Sequence, residues 1–239
     1  MKRVLYLAAS LLMILLSCNK QGTDNKKNNN NNTEESLPIT IDGKFEDWAT
    51  VKPFVAKNSS NSIWDAVKEL RVYAEGDYVF YYIRFNPDVI SEYLGQNDVL
   101  PARINLNTDG EFDSGYQNYF LQGYDFIIEI SLGNGAGGWG AGDNSTLYQR
   151  LNDSWKELLG EYSGLTYGAG SGHEYELCLD RSIFNNAAAK SDSPMPMGDT
   201  FQTSMRFYET TSTGKWEELS NIPNTDDGYG NLLEVTFAK

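Results

Sequence analysis

The 239-residue sequence is poor in residue types on which several functional classes depend. It contains one histidine, His173, and two cysteines, Cys18 and Cys178. A single histidine argues against a histidine-rich zinc site and a Ser-His-Asp triad. Because His173 follows Ser171 and Gly172 in a turn pattern, we expect a polar loop histidine and no haem. Basic residues are also scarce, since 19 Lys and Arg stand against 33 Asp and Glu. The formal net charge of −14 argues against nucleic acid and anionic lipid surfaces as partners.

The N-terminus carries the pattern of a secretion signal. Residues 1–3 (Met-Lys-Arg) are basic, and residues 4–16 form an apolar run that is too short to span a bilayer as a helix. The run leads into residues 15–18 (Leu-Leu-Ser-Cys), which resemble the lipobox of bacterial, Bacteroidota-type, lipoproteins. The alternative interpretation is an ordinary signal peptide that happens to end near a cysteine.

The lipobox resemblance implies that residues 1–17 are removed and that Cys18 is acylated. The mature protein would then have 17 basic and 33 acidic residues, a charge of 17 − 33 = −16. Residues 18–36 include five consecutive asparagines and no aromatic or β-branched aliphatic residue, so we expect a disordered tether. These features predict a protein held at the outer membrane, on its periplasmic or cell-surface side, through the lipid anchor only.

Alternating apolar and polar residues predict an all-β domain over residues 37–239. Strands are expected at 70–74, 78–85, 103–107, 125–132, 174–179, 201–208 and 232–237, and short helices at 154–159 and 181–189. The segment 78–85 is apolar on both of its faces, which predicts a central strand with one face on the core and the other under a loop or ligand. The fold class expected from this pattern is an antiparallel β-sandwich with one or two short helices.

The domain opens with Ile-Asp-Gly-x-x-x-Asp-Trp at residues 41–48. This motif resembles the start of carbohydrate-binding module family 9 and of the related DOMON-like sandwiches. Later segments (70–83, 104–115, 123–128 and 174–180) are similar to further parts of that family, although Asp180 stands where the family usually has proline. The resemblance implies a jelly-roll type of β-sandwich and a glycan ligand. In this interpretation Asp42 and Gly43 form a turn, and Trp48 is a structural plug.

An acidic loop is a candidate calcium site. Oxygen-bearing side chains occupy every second position around Gly110, at Asn107, Asp109, Glu111 and Asp113. Asp125 is a further candidate ligand, since the related segment places it nearby. The loop is not an EF-hand, because Phe112 and Asn118 stand where that motif requires Gly and Glu. The alternative is a solvated turn in which Asp109 and Asp113 cap local amides.

Tryptophans in loops are the candidate sugar contacts. Trp139 lies in a Gly-rich segment, residues 133–142, and Trp64 precedes a predicted strand. An exposed indole can stack on a pyranose face, whereas a Trp139 folded back onto the sandwich would be structural. Trp155 and Trp216 lie among alternating apolar residues and are expected in the core.

The sequence therefore predicts a surface or outer-membrane lipoprotein with a non-catalytic carbohydrate-binding domain. A structural or partner-binding lipoprotein without a small ligand is an alternative. A glycosidase is another alternative, and it would need two carboxyl groups about 5–10 Å apart. No pair of acidic residues in the sequence marks such a site, so no catalytic residue is predicted.

Overall fold

The computed structural model describes residues 37–58, 66–96, 100–118, 121–132, 145–223 and 232–239. The predicted signal peptide (1–17) and tether (18–36) lie outside the described residues. Three of the predicted functional residues also lie outside them, namely Cys18, Trp64 and Trp139. In the described part, no helix has the length and apolar character needed to cross a membrane.

Two antiparallel sheets form the fold. The five-stranded sheet has the order β1 (Phe54–Lys57), β2 (Val67–Glu75), β3 (Tyr78–Phe85), β11 (Glu174–Asp180) and β10 (Thr166–Ser171). The seven-stranded sheet has the order β13 (Trp216–Ile222), β12 (Thr200–Thr210), β4 (Leu100–Asn107), β7 (Phe126–Leu132), β8 (Thr146–Leu151) and β9 (Ser154–Leu159), with β14 (Leu233–Thr236) paired to β12.

Four smaller elements complete the described part of the chain. They are the hairpin of β5 (Tyr116–Asn118) and β6 (Leu121–Tyr124), the helices α1 (Pro87–Gln96) and α2 (Arg181–Ala188), and a 3₁₀ turn at Glu46–Ala49.

The main core lies between the two sheets and follows the period of two. On β3 the inward residues include Val79, Tyr81 and Ile83, all fully buried. On β4 Ala102 and Ile104 are likewise fully buried and face the same core. Alternate side chains of a strand point to opposite faces, so this pattern packs one face of each sheet against the other. The predicted antiparallel β-sandwich is confirmed.

A second apolar cluster covers the outer face of the five-stranded sheet. Phe80 and Tyr82 on β3 are buried there beneath the N-terminal segment, where Ile39, Ile41 and Trp48 pack on them. Trp48 is 1% exposed. The predicted burial of both faces of the 78–85 strand is therefore confirmed, and the covering element is the opening motif itself.

One predicted helix is wrong and one is confirmed. Residues 154–159 form the strand β9, because Asn152 and Asp153 have positive φ angles of 46° and 64° and reverse the chain in two residues. The helix predicted at 181–189 is present as α2. Asp180 caps this helix by accepting a hydrogen bond of 3.0 Å from the Ile183 amide.

The helix α1 was not predicted. It begins at Pro87, and the Asn86 side chain accepts a hydrogen bond of 3.3 Å from the Asp88 amide. A capping asparagine followed by proline at the first helical position is a recognised start signal, so the sequence did contain the information.

Candidate functional site

The outer face of the seven-stranded sheet is polar and carries two stacks of arginine on aromatic rings. The first stack combines Arg150 on β8, Tyr116 on β5 and Trp155 on β9. The guanidinium carbon lies 5.1 Å from the Tyr116 ring centroid and 5.6 Å from that of Trp155. The two rings are 5.8 Å apart, and Arg150 is the cross-strand neighbour of Trp155. We call these three residues the Arg150 cluster.

A cleft of about 670 Å³ opens beside the Arg150 cluster. Its wall is formed by the β8–β9 hairpin and the segment before β12, and its residues are Arg150, Leu151, Asn152, Ser154, Trp155, Lys156, Asp192 and Ser193. This volume is within the range of small-molecule sites, about 300–1,000 Å³. We call it the β8–β9 cleft. It combines a partly exposed indole with amide, hydroxyl and charged groups.

Two charged pairs border this cleft, and the carboxylate of each is well exposed to solvent. Lys156 lies 2.6 Å from Asp192, with both side chains about half exposed or more. Arg150 lies 3.3 Å from Asp153, whose side chain is fully exposed. Such exposed pairs are screened and contribute little to stability. The Arg150 side chain itself is only 16% exposed, and among the described residues its buried Nε has no hydrogen-bond acceptor.

The second stack, the Arg103 cluster, is built from Arg103 on β4, Tyr208 on β12 and Trp216 on β13. The guanidinium carbon lies 5.1 Å from the Tyr208 centroid and 5.4 Å from the Trp216 centroid. Here Glu129 on β7 completes the group, because its Oε1 accepts hydrogen bonds of 2.9 Å from Nε and 2.6 Å from Nη2. The guanidinium of this cluster therefore has its carboxylate partner within the protein.

The two tryptophans expected in the core are at the surface instead. Trp216 is 37% exposed, and Trp155 is partly exposed at the wall of the cleft. The prediction failed because both residues lie on the outer face of a sheet, where alternation alone does not distinguish inside from outside. The sequence feature that indicates an exposed position is the polarity of the neighbouring residues. Trp155 stands between Ser154 and Lys156, directly after a turn. The predicted contacts Trp64 and Trp139 stay predictions.

The acidic loop is organised mainly by its own hydrogen bonds. Asn107 Oδ1 accepts from the Gly110 amide at 2.7 Å, and its Nδ2 donates to the Glu111 carbonyl at 3.1 Å. Asp109 accepts from the Glu111 amide at 2.8 Å and from the Ser114 hydroxyl at 3.0 Å. The side chains of Glu111 and Asp113 are exposed. Asn107 and Asp109 thus shape the turn.

Asp125 is the buried member of the predicted calcium set. It is 1% exposed, and its Oδ2 accepts hydrogen bonds from the Thr108 amide and hydroxyl at 2.8 and 3.2 Å. Its Oδ1 is buried without a hydrogen-bond partner in the described residues. Burial raises the pKa of Asp125 to about 6, and the nearby charge of Asp109 acts in the same direction. Across the described ranges, no three His, Cys, Asp or Glu side chains group as a metal site.

Two glycines let the acidic loop approach the β6–β7 segment closely. A Cβ at Gly115 would lie 2.3 Å from the Tyr124 carbonyl oxygen and 3.1 Å from Asp125 Oδ1. A Cβ at Gly123 would lie 2.5 Å from the Glu111 carbonyl oxygen, and both glycines have positive φ angles. Because neither glycine has a Cβ, the acidic loop can pack directly against the segment that carries Asp125.

The sequence did not reveal the role of Glu176 on β11. Its carboxylate, fully buried, accepts three hydrogen bonds from the opening motif: from the Asp42 amide at 3.0 Å, the Gly43 amide at 2.9 Å and Trp48 Nε1 at 2.9 Å. Burial raises the pKa of Glu176 to about 7, although these hydrogen bonds act in the opposite direction. Glu176 thus fixes the N-terminal segment to the sheet.

Comparison with solved structures shows a similarity of fold. No family model and no curated protein matches the chain. The structure is similar to that of a carbohydrate-binding module of family 9 from Caldicellulosiruptor kristjanssonii, solved in complex with glucose. The two are 12% identical, the match covers 85% of this chain and 92% of that chain, and the TM-score is 0.39.

Proposed function

We propose that this domain binds a carbohydrate in the β8–β9 cleft without catalysing a reaction. The observation that carries the proposal is the placement of Trp155 at the wall of a cleft that also contains Asn152, Ser154 and Ser193. An indole face packs against the C–H groups of a sugar ring, while amides and hydroxyls bind its rim. The cleft supplies both kinds of contact in one place.

The distribution of carboxyl groups favours binding over glycoside hydrolysis. Hydrolysis needs two carboxyl groups that face each other across the substrate. The carboxyl groups with clearly raised pKa values, Glu176 and Asp125, are buried beneath the opening motif and the acidic loop respectively. In the described wall of the β8–β9 cleft the one carboxylate is Asp192, and it is paired with Lys156.

The affinity expected from such a site is modest. Aromatic stacking and each hydrogen bond contribute about 1 kcal/mol, so we expect dissociation constants of roughly micromolar to millimolar. The experiment is a glycan array followed by calorimetry on the wild type and on Trp155→Ala. Trp216→Ala is the matched control, because it removes an exposed tryptophan from the same sheet but outside the cleft.

Loss of binding in Trp155→Ala, with binding retained in Trp216→Ala, supports the proposal. Binding that survives Trp155→Ala but is lost in Trp139→Ala or Trp64→Ala would return the site to the loops predicted from the sequence. An array without ligands would favour a structural or partner-binding lipoprotein.

We also propose that Asp125 and Asp109 contribute to a calcium site in the acidic loop. The supporting observation is the buried Asp125 Oδ1, which is without a hydrogen-bond donor in the described residues. Calcium also takes carbonyl oxygens and waters, so a site here needs only one or two carboxylates. A bound cation would remove the cost of the buried charge at Asp125.

Melting temperatures in millimolar calcium and in chelator test this site. Calcium should raise the melting temperature by binding the folded state only, and Asp125→Asn should remove the shift. Asp113→Asn, which changes an exposed loop carboxylate, should retain it. Equal melting temperatures of the wild type in calcium and in chelator would leave only the solvated-turn interpretation.

The proposed lipid anchor at Cys18 has its own test. Mass spectrometry of the native protein should find an acylated N-terminal Cys18, and Cys18→Ala should leave the membrane fraction. A Cys18→Ala protein that stays in the membrane fraction would contradict the anchor.

A further inference from the structure

The Arg150 and Arg103 clusters have the same construction but differ in one component. Each has an arginine from a strand of the seven-stranded sheet lying against two aromatic rings, at distances of 5.1 and 5.6 Å in one and 5.1 and 5.4 Å in the other. In the Arg103 cluster, Glu129 takes two hydrogen bonds from the guanidinium at 2.6 and 2.9 Å. The Arg150 cluster has no equivalent among the described residues.

The contact that Arg150 does make is a weak one. Asp153 Oδ1 lies 3.3 Å from Arg150 Nη2 and the Asp153 side chain is fully exposed, so solvent competes for its carboxylate. A guanidinium has five N–H donors in one plane, and a carboxylate matches two of them at once. Arg150 therefore retains donors for an anionic group that reaches it through the β8–β9 cleft.

The charges in the cleft wall are consistent with an anionic ligand. Its described wall contains two cations, Arg150 and Lys156, and one carboxylate, Asp192, which is paired with Lys156. With Asp153 at the border of the cleft, the charges there balance, whereas the protein as a whole has a net charge of −14. The ring of Trp155 lies beside the guanidinium, so a sugar stacked on the indole would place a substituent of its ring next to Arg150.

We propose that the β8–β9 cleft selects glycans that contain uronic acids, and that Arg150 binds the sugar carboxylate as Arg103 binds that of Glu129. This inference rests on the proposed carbohydrate function. Both components of the ligand are needed: the ring for Trp155 and the carboxylate for Arg150. We favour a carboxylate as the anion because Arg103, which lies against aromatic rings in the same way, binds the carboxylate of Glu129.

The experiment compares ligands that differ only in charge. Glycan arrays containing uronic-acid oligosaccharides, their methyl esters and neutral oligosaccharides of the same length would be followed by calorimetry. The free acids should bind about 10- to 100-fold more tightly than their methyl esters, as expected for a charge-assisted contact. Raising the salt concentration should weaken binding of the acids and leave binding of the esters unchanged.

Variants assign the selectivity to Arg150. Arg150→Gln should reduce the affinity for the acids to that for the esters, and Arg150→Lys should restore part of the difference because it keeps the charge without the planar fork. Arg103→Gln is the matched control, since it removes the arginine of the second cluster and should leave the selectivity unchanged. Melting temperatures show whether each variant is folded.

The outcomes distinguish this inference from the proposed function. Equal affinity for acids and esters overturns the selectivity but leaves carbohydrate binding standing. A preference for acids that persists at wild-type strength in a folded Arg150→Gln protein overturns the role of Arg150. Absence of binding to acidic, esterified and neutral glycans alike overturns both.

Discussion

The two outer faces of this sandwich are both rich in aromatic residues, but in the described ranges the N-terminal segment covers only that of the five-stranded sheet, and we call the other the open face. On the five-stranded sheet, residues 39–48 lie over Phe80 and Tyr82, and Trp48 is 1% exposed. On the seven-stranded sheet, Trp216 is 37% exposed and Trp155 lines a cleft. The same residue type therefore stabilises the fold on one face and offers a binding surface on the other.

The polar groups of the two faces differ in the same way. Glu176 on the covered face accepts three hydrogen bonds from the opening motif. Arg150 on the open face has a buried Nε without an acceptor in the part of the chain that the structure describes. A polar group whose partners come from its own chain acts in stability, whereas one with unused donors beside a cleft can contribute to recognition.

Removing the indole of the covered face should have the largest effect. Trp48→Ala should lower the free energy of unfolding by roughly 3–5 kcal/mol, because it leaves a cavity in the second cluster and removes one hydrogen bond to Glu176. Denaturant unfolding measures this value. Trp216→Ala on the open face should cost less than about 1 kcal/mol. Equal losses of stability in Trp48→Ala and Trp216→Ala would show that the covered and the open face do not differ in what their tryptophans contribute to folding.

A pH effect of intermediate size should come from Glu176. Its pKa is about 7 in the folded protein and 4.5 ordinarily, so the folded state binds a proton more tightly than the unfolded state. Stability from this group is therefore fully present below pH 4.5 and is lost as the pH rises through 7, with a slope of at most about 1.4 kcal/mol per pH unit.

Unfolding titrations from pH 4 to 8 on the wild type and on Glu176→Gln measure this effect. Asp125 also contributes a loss of stability as the pH rises, since its pKa is raised from 3.8 to about 6. The difference between the two proteins isolates Glu176 from that background, and Asp125→Asn serves as the parallel control. Identical pH slopes in the wild type and in Glu176→Gln would contradict the assignment.

The smallest effect on stability is expected from the open face at Trp155. Trp155→Ala should change the free energy of unfolding by less than about 1 kcal/mol, because its ring is already partly exposed on an edge strand. The same substitution should remove glycan binding measured by calorimetry. A variant that loses several kcal/mol of stability and keeps its ligand would place Trp155 with Trp48 as a structural residue.

Local patterns determined much of the fold. The period of two in residues 70–74 and 78–85 identified β2 and β3, and apolar residues on both faces of 78–85 correctly predicted a covered central strand. The Asp-Gly turn and Trp48 identified the opening motif, and the pattern at 181–189 identified α2. These features depend on residues close in sequence, where backbone geometry and side-chain alternation act directly.

The tertiary structure decided which faces are open and which groups meet. Residues 154–159 have no decisive period, and only pairing with β8 across the Asn152–Asp153 turn makes them a strand and brings Trp155 beside Arg150. Glu176 meets the indole of Trp48 across 128 positions of sequence. The sequence alone determined that the domain is a β-sandwich rich in aromatic residues. Whether each aromatic is covered depends on long-range packing, which local alternation does not encode.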